Sequence, residues 1–374
     1  MADVVSAFGY SVPLTVVVAV LALVIGIALA VMFWLTTGLS VYRSVQDTRR
    51  QRVRDDLQSR LLDGVFSPDP DWGPWVASLS SVERDVVEDL LDEYLRELDG
   101  ENVKRLRELG AELGIPDRSK RHLETRGEYT RLYALTWLTL LSRPDKLHAA
   151  DFTPGTPRER AAVARLRYES DDLDSAAEGV SIMLADATSQ FSVFGQDTLY
   201  RIAIDDPGAL FEVAQETYRN WSPSLLTQVL TVCQHLGTSI TTEDLSWLIG
   251  TLEHENEAVR TAAARGLGNV GWRSDIRNDP LLERLLRDPS PKVRGAVYEM
   301  LARWGDQQAL ETLSAALVDE DNPRVRLVGT NALVTYVDSP PADAPPELEN
   351  TWAWSREHAE LDQVARHPGR RSVS

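Results

Sequence analysis

The longest apolar run in the chain lies near its N-terminus. Residues 14–35 contain no charged side chain, and a helix that crosses a bilayer needs about 20 predominantly apolar residues. Trp34 lies at the end of the run, where aromatic rings favour the headgroup layer. The pattern predicts a single transmembrane helix that follows a short extracytoplasmic N-terminus at residues 1–13. A cleaved signal peptide would need a basic start, whereas the first Lys or Arg of the chain is Arg43.

Positive charge follows this run and does not precede it. Asp3 is the one charged residue before the run, and the arginines soon after it are Arg43, Arg49, Arg50, Arg52, Arg54 and Arg60. Arginine beside a membrane end marks the cytoplasmic side, so we expect a single-pass protein of the cell membrane whose main part is cytoplasmic. Ala22, Gly26 and Ala30 recur at every fourth position of the run. Small residues at this spacing let two helices approach closely, which predicts a homodimer through the transmembrane helix.

Beyond the run, apolar positions recur at helical spacing. Residues 36–66 are predicted to form a juxtamembrane helix, and the proline-rich stretch 67–79 is predicted to interrupt it as a linker. Residues 80–241 predict a series of helices that form either divergent repeats or a separate bundle. Because no segment alternates convincingly between apolar and polar residues, we predict an all-α fold.

Three segments between residues 242 and 337 repeat one pattern, in which an acidic loop is followed by a Val-Arg pair and a helix of small and apolar residues. The pairs recur after 34 and then 32 residues, at Val259-Arg260, Val293-Arg294 and Val325-Arg326. A short amphipathic helix precedes each loop. A helical hairpin of this length cannot bury its apolar face alone, so neighbouring hairpins are expected to stack into an α-solenoid.

These segments resemble HEAT repeats in the short form of the phycobilisome-lyase-like branch, over about a quarter of the chain. The resemblance rests on the acidic or proline-containing loop, the Val-Arg pair and the small residues of the second helix. It implies a ladder of ion pairs between loop carboxylates and helix arginines. Carried over, Asp288 is expected near Arg294, and the other expected pairs are Asp319 or Glu320 with Arg326, and Glu253 or Glu255 with Arg260.

Residues 338–374 are predicted to be a proline-rich linker and a tail. The tail contains Trp352 and Trp354, which could either cap the last repeat or bind a partner. Tryptophan is enriched at binding hot spots. Trp272, Trp352 and Trp354 are therefore the candidate partner-binding residues.

The composition of the chain limits which ligands and cofactors it is expected to bind. The formal net charge is −18, with 57 acidic against 39 basic residues, and phosphate binding needs clustered Lys and Arg, so no nucleic-acid partner is expected. Cys233 is the sole cysteine and the six histidines are dispersed, so we predict no metal or other cofactor. Gly266, Gly268 and Gly271 fit G-x-G-x-x-G, but they lie at the end of a predicted helix and not between a strand and a helix. No catalytic residue is predicted.

The sequence thus favours a non-enzymatic, membrane-tethered HEAT-repeat scaffold or adaptor at the cytoplasmic face of the membrane. Its partners are expected to be proteins that the sequence does not name, in a regulatory complex or one for envelope or polysaccharide biogenesis. Two alternatives stay open: an enzyme or enzyme accessory factor, as the lyase-like resemblance implies, and a nucleic-acid-binding HEAT domain.

Overall fold

Helices account for nearly all the regular structure that the computed structural model describes. The described residues are 4–7, 10–13, 23, 26–27, 29, 31–34, 54–68, 70–184, 187, 189–241, 243–271 and 280–366. The chain divides into two units, Met1–Ile115 and Pro116–Ser374. The boundary falls inside the region 80–241 that the sequence analysis treated as one block. The all-α prediction is confirmed apart from one antiparallel hairpin, in which β1 (Val4–Ala7) pairs with β2 (Tyr10–Pro13).

The first unit contains helical residues 54–66, which are followed by α1 (Trp72–Ser78), α2 (Ser81–Glu97) and α3 (Glu101–Glu112). The predicted linker 67–79 is therefore wrong in its second half, because α1 lies there. Pro74 is tolerated because it occupies the first turn, where a backbone N–H has no helical partner. The Trp72 ring is buried and packs on Gly64, where a Cβ would overlap it. That contact fixes α1 against the preceding helix.

The second unit is a row of helices that follow one another in pairs, and each pair of successive helices is called a hairpin here. The first hairpin is α4 (Ile115–Leu123), whose first residue lies at the unit boundary, with α5 (Glu128–Leu140). The next hairpins are α6 (Pro144–His148) with α7 (Pro157–Glu169), α8 (Ala176–Leu184) with α9 (Val193–Asp205), and α10 (Pro207–Thr217) with α11 (Pro223–Leu236). The last are α12 (Ser246–Gly250) with α13 (Glu257–Val270), α14 (Pro280–Leu286) with α15 (Pro291–Trp304), and α16 (Gln307–Val318) with α17 (Pro323–Leu333).

The second helices of successive hairpins pack on one another from α5 to α17, and α18 (Pro346–Arg366) packs on α17. Short 3-10 turns follow α10, α11 and α12 at Tyr218–Asn220, Gly237–Ser239 and Thr251–Glu253. One apolar core runs from Ala161 on α7 to Trp352 on α18. This is the stacked arrangement of an α-solenoid, in which each hairpin buries its apolar face against its neighbours.

The predicted linker and tail, residues 338–374, contain a helix. From Pro346 the chain forms α18, and Leu348 and Trp352 lie in the core. The helix begins there because Pro346 occupies its first turn, where proline favours helix entry. Of the two alternatives for the tail, packing against the last hairpin is the one observed.

Glycines allow the second helices to approach closely. Gly268 lies on α13 where a Cβ would be 3.0 Å from the Cα of Met300 on α15, whereas a Cβ at Gly266 would meet no atom closer than 3.6 Å. Gly271 ends α13 with a φ of +92°. The G-x-G-x-x-G match is thus explained by helix packing and helix termination.

Gly268→Ala is expected to be less stable than Gly266→Ala by about 1–3 kcal/mol. Both changes gain helix propensity, but only the first forces two backbones apart. Urea denaturation of the two full-length variants, followed by circular dichroism, measures the difference. Equal stability of the two variants would show that the contact between α13 and α15 relaxes without cost.

Within the described residues, no helix is both long and apolar enough to cross a membrane. The predicted span 14–35 lies mostly outside those residues. Outside them also lie Ala22, Ala30, Arg43, Arg49, Arg50 and Trp272. Gly26 and Trp34 are described, and both are helical and exposed.

Candidate functional site

A ladder of arginine–carboxylate pairs joins the last three hairpins. Arg260, in the first turn of α13, donates from Nε and Nη2 to the two carboxylate oxygens of Asp288 at 2.8 and 2.9 Å. Arg294 makes the same two-pronged contact from α15 to Glu320, at 2.9 and 2.8 Å. Such pairs fix orientation as well as distance, because the planar guanidinium matches the planar carboxylate.

Each ladder arginine also holds the loop of its own hairpin. Nη1 of Arg260, Arg294 and Arg326 donates to the backbone carbonyl six residues earlier, at distances of 2.8, 2.7 and 3.1 Å, and the acceptors are His254, Asp288 and Glu320. The valines that precede these arginines, Val259, Val293 and Val325, are buried in the core. The Val-Arg pair therefore has two tasks, since the valine packs in the hairpin and the arginine ties the loops.

The pairing expected from the resemblance is wrong by one repeat. Asp288 was expected to pair with Arg294, but its carboxylate binds Arg260 of the preceding hairpin and only its backbone carbonyl accepts from Arg294. The carboxylate faces the preceding hairpin because it also accepts the N–H of Ser290 at 2.8 Å. Glu320 follows the same rule, with the N–H of Asn322 at 2.9 Å.

The other residues expected in the ladder have different positions. Glu253 pairs with Arg284, and Glu255 offers Arg260 a backbone carbonyl only. Asp319 is exposed and outside the ladder. Nε of Arg326 is buried without a hydrogen-bond partner among the described residues. The ladder's carboxylates thus end at Glu320 in the described part of the chain.

Electrostatics around Glu320 favour its ionised form. Burial opposes ionisation, but hydrogen bonds from Arg294, from the N–H of Asn322 and from the hydroxyl of Tyr298 outweigh it, so the pKa of Glu320 lies below its usual value. Burial and the Glu320 charge together raise the pKa of Tyr298. The carboxylate is therefore held as a charged partner of Arg294.

A related arginine–carboxylate pair lies far upstream, between α5 and α7, although its carboxylate belongs to the first turn of α7 and not to a loop. Nε of Arg131 donates to Glu159, 28 residues later, at 2.7 Å, and Nη1 donates to the carbonyl of Thr125, six residues earlier, at 2.9 Å. The separation of Arg260 and Asp288 is also 28 residues. Glu159 is fully buried, so this pair is an internal joint of the unit.

A second contact supports this equivalence. Glu128 at the start of α5 accepts a hydrogen bond from the hydroxyl of Thr156, which caps α7, at 3.0 Å. Glu257 at the start of α13 accepts one from Ser290 at 2.6 Å, and Ser290 occupies the N-cap position of α15. In both cases a glutamate that begins one second helix binds the N-cap residue of the next, so α5 and α7 are part of the same kind of stack as α13 and α15.

This upstream pair is hidden in the sequence because Thr130 stands where the repeats have valine, and aromatic residues replace the alanines of the second helix. A usable signal was present: an arginine at the fourth position of a helix and a glutamate 28 residues later.

A groove of about 620 Å³ lies beside the ladder, between α14 and α16. Arg294, Tyr298 and Glu320 lie at its α15 side. Leu286 and the alanines 315 and 316 supply apolar wall. Its charged rim consists of Glu283, Arg287, Asp319 and Asp321.

The two candidate tryptophans that the structure describes differ in exposure. Trp352 is 3% exposed and belongs to the core, so its partner-binding role is wrong. Trp354 is 50% exposed, with its ring stacked on His358 at 4.9 Å between centroids. Trp354 therefore stays a candidate contact residue.

Two kinds of reactive site are absent from the described residues: an accessible thiol and a metal-binding cluster. Cys233 is fully buried, which raises its thiol pKa, and a protonated thiol is a poor nucleophile. No group of three or more His, Cys, Asp or Glu among these residues could hold a metal ion.

A family model described as HEAT repeats matches residues 278–357. HEAT repeats are thus supported for this part of the chain. The match spans α14 to α17 and the first part of α18, a region that includes the groove and all of the ladder after Arg260. No curated protein matches the chain. The HEAT assignment therefore rests on this match together with the hairpin geometry.

Proposed function

We propose that the chain is a HEAT-repeat scaffold or adaptor, tethered to a membrane, that binds partner proteins at the cytoplasmic face. The observation that carries the proposal is the continuous stack of hairpins, with one apolar core and bidentate ion pairs between loops. A stack of this kind presents an extended surface whose shape is fixed by its joints. Protein interaction is the general use that HEAT repeats suggest.

The tether is proposed from the sequence of residues 14–35, which has no charge. The described side chains in that stretch are exposed, including Leu23, Met32, Phe33 and Trp34. Exposed apolar residues in such number mark a surface that contacts a membrane or another protein. Arginine after the run and none before it supports a cytoplasmic position for the repeats.

A tether changes how the repeats would act. Holding the repeats at the membrane raises their local concentration near membrane partners, so weak contacts are strengthened without new interactions. The homodimer expected through Gly26 and its neighbouring alanines would double the number of binding surfaces for each complex.

Nucleic-acid binding is less well supported. On the arginine-rich helix α7, Arg165 pairs with Glu169 and Asp197, and Arg167 pairs with Asp172 and Glu178. Paired arginines offer little positive potential to phosphate.

Fractionation and affinity purification test the proposal. Tagged full-length protein is expected in the membrane fraction, to resist carbonate extraction and to co-purify with a stoichiometric protein partner in mild detergent. A variant that lacks residues 1–35 is expected in the soluble fraction, with the same circular dichroism per residue of the repeats.

Either half of the proposal can fail separately. Full-length protein in the soluble fraction would contradict the tether, and purification without a stoichiometric partner would contradict the scaffold function. Direction is tested with Ser6→Cys, which a membrane-impermeant maleimide should label in intact cells. Labelling only after lysis would show that the N-terminus is cytoplasmic, which is the opposite of the proposed orientation.

A further inference from the structure

The groove between α14 and α16 carries excess negative charge. Arg294 and Glu320 neutralise each other within the ladder. The remaining charges are three acidic side chains against Arg287, and all four are exposed and make no ion pair with any other described residue; the acidic residues are Glu283, Asp319 and Asp321. The groove thus differs from the part of α7 where Arg165 and Arg167 are paired with carboxylates.

Apolar surface lies between these charges. Leu286 of α14 and Ala315 and Ala316 of α16 form the walls, with Tyr298 behind them. Burial raises the pKa of Tyr298 most, and the charges of Glu320 and Asp319 raise it further.

We propose that this groove binds a segment of a partner protein that presents an Arg or Lys side chain between small apolar residues. The aliphatic stem of such a side chain packs along apolar walls while its charged head stays at a polar rim. A volume of about 620 Å³ is within the usual range of about 300–1,000 Å³ for binding pockets. This inference rests on the proposed scaffold function and names the chemistry of the partner.

Three variants distinguish the effect of the groove's charges on peptide binding from the effect of the protein's overall negative charge. Asp319→Asn with Asp321→Asn removes two negative charges from the rim. Arg287→Gln removes the opposing positive charge. Glu212→Gln with Glu216→Gln removes two exposed charges from α10, outside the groove, and is the matched control.

The probe is an array of short immobilised peptides in which Arg, Lys, Glu or Gln stands between Ala and Gly residues. Full-length wild-type protein in mild detergent is expected to bind the Arg and Lys peptides best. The Asp319/Asp321 variant should bind them about fivefold more weakly, and the Arg287 variant about twofold more tightly, as expected for a few exposed charge contacts. High salt should reduce all of these differences. The control variant should match the wild type.

Several results would overturn the inference: no peptide bound by the wild type, a preference for acidic or uncharged peptides, or equal binding by the wild type and the Asp319/Asp321 variant. The melting curves of all variants show whether the fold is kept. A partner that co-purifies equally with the wild type and the Asp319/Asp321 variant would contradict binding at the groove without contradicting the scaffold function.

Discussion

Arg294→Ala is expected to destabilise the end of the repeat stack by about 3–5 kcal/mol, which is the usual cost of removing one partner of a buried ion pair. Glu320 is 5% exposed and would keep only the hydroxyl of Tyr298 and the N–H of Asn322 as donors. The carbonyl of Asp288 would also lose its donor. One substitution therefore loosens both its own loop and the next one.

Amide hydrogen exchange in the full-length protein measures this effect locally, because each hairpin contacts chiefly its neighbours. Protection should fall most in α15 to α17 and least in α7 to α9. Arg303→Ala, an exposed arginine on the same helix, is the control and should change stability by less than about 0.5 kcal/mol.

A double variant tests the physical reason. Arg294→Met with Glu320→Leu removes both charges, and it should be more stable than Arg294→Ala alone, because no unpaired charge remains buried. If the double variant lost as much stability as Arg294→Met and Glu320→Leu lose when each is made alone and the losses are added, packing and not charge would be the cause.

Trp352→Ala is expected to destabilise the C-terminal end by about 3–5 kcal/mol, the range for removing a large aromatic side chain from a core. Trp352 lies at the α18 end of the continuous core, together with Leu348. Its loss should separate α18 from α17 and expose the apolar face of the last hairpin.

Trp354→Ala is the matched control, since this tryptophan lies two residues further on the same helix and is half exposed. It should leave stability within about 0.5 kcal/mol of the wild type. Intrinsic fluorescence and hydrogen exchange in α17 distinguish the two variants. Equal effects of both changes would mean that α18 is not a cap of the stack.

The sequence indicated which residues form the arginine–carboxylate ladder, but it did not predict which arginine pairs with which carboxylate. Arg260 and Arg294 were identified from the period of the Val-Arg pairs, whereas Asp288, and Glu320 as an alternative to Asp319, were implied by the HEAT resemblance. The period cannot say whether an arginine reaches forward or back, because both arrangements repeat equally. Backbone hydrogen bonds to the carboxylates decide the direction, and they depend on loop conformation.

Two other differences have similar causes. The joint at Arg131 was missed because the surrounding apolar residues differ in type, although their spacing agrees. Helix α1 was missed because prolines and a glycine suggest a linker, and only the burial of Trp72 against Gly64 explains why the segment folds. In both cases tertiary contacts outweighed local sequence preference.

Contacts of the ladder alternate between side chain and backbone without a break. Arg260 holds the carboxylate of Asp288, whose carbonyl accepts from Arg294, which holds Glu320, whose carbonyl accepts from Arg326. Such a chain of contacts resists extension along the edge of the stack where the loops lie. Bending of the last three hairpins must therefore open or close the opposite edge, while the distance from one loop to the next stays nearly constant.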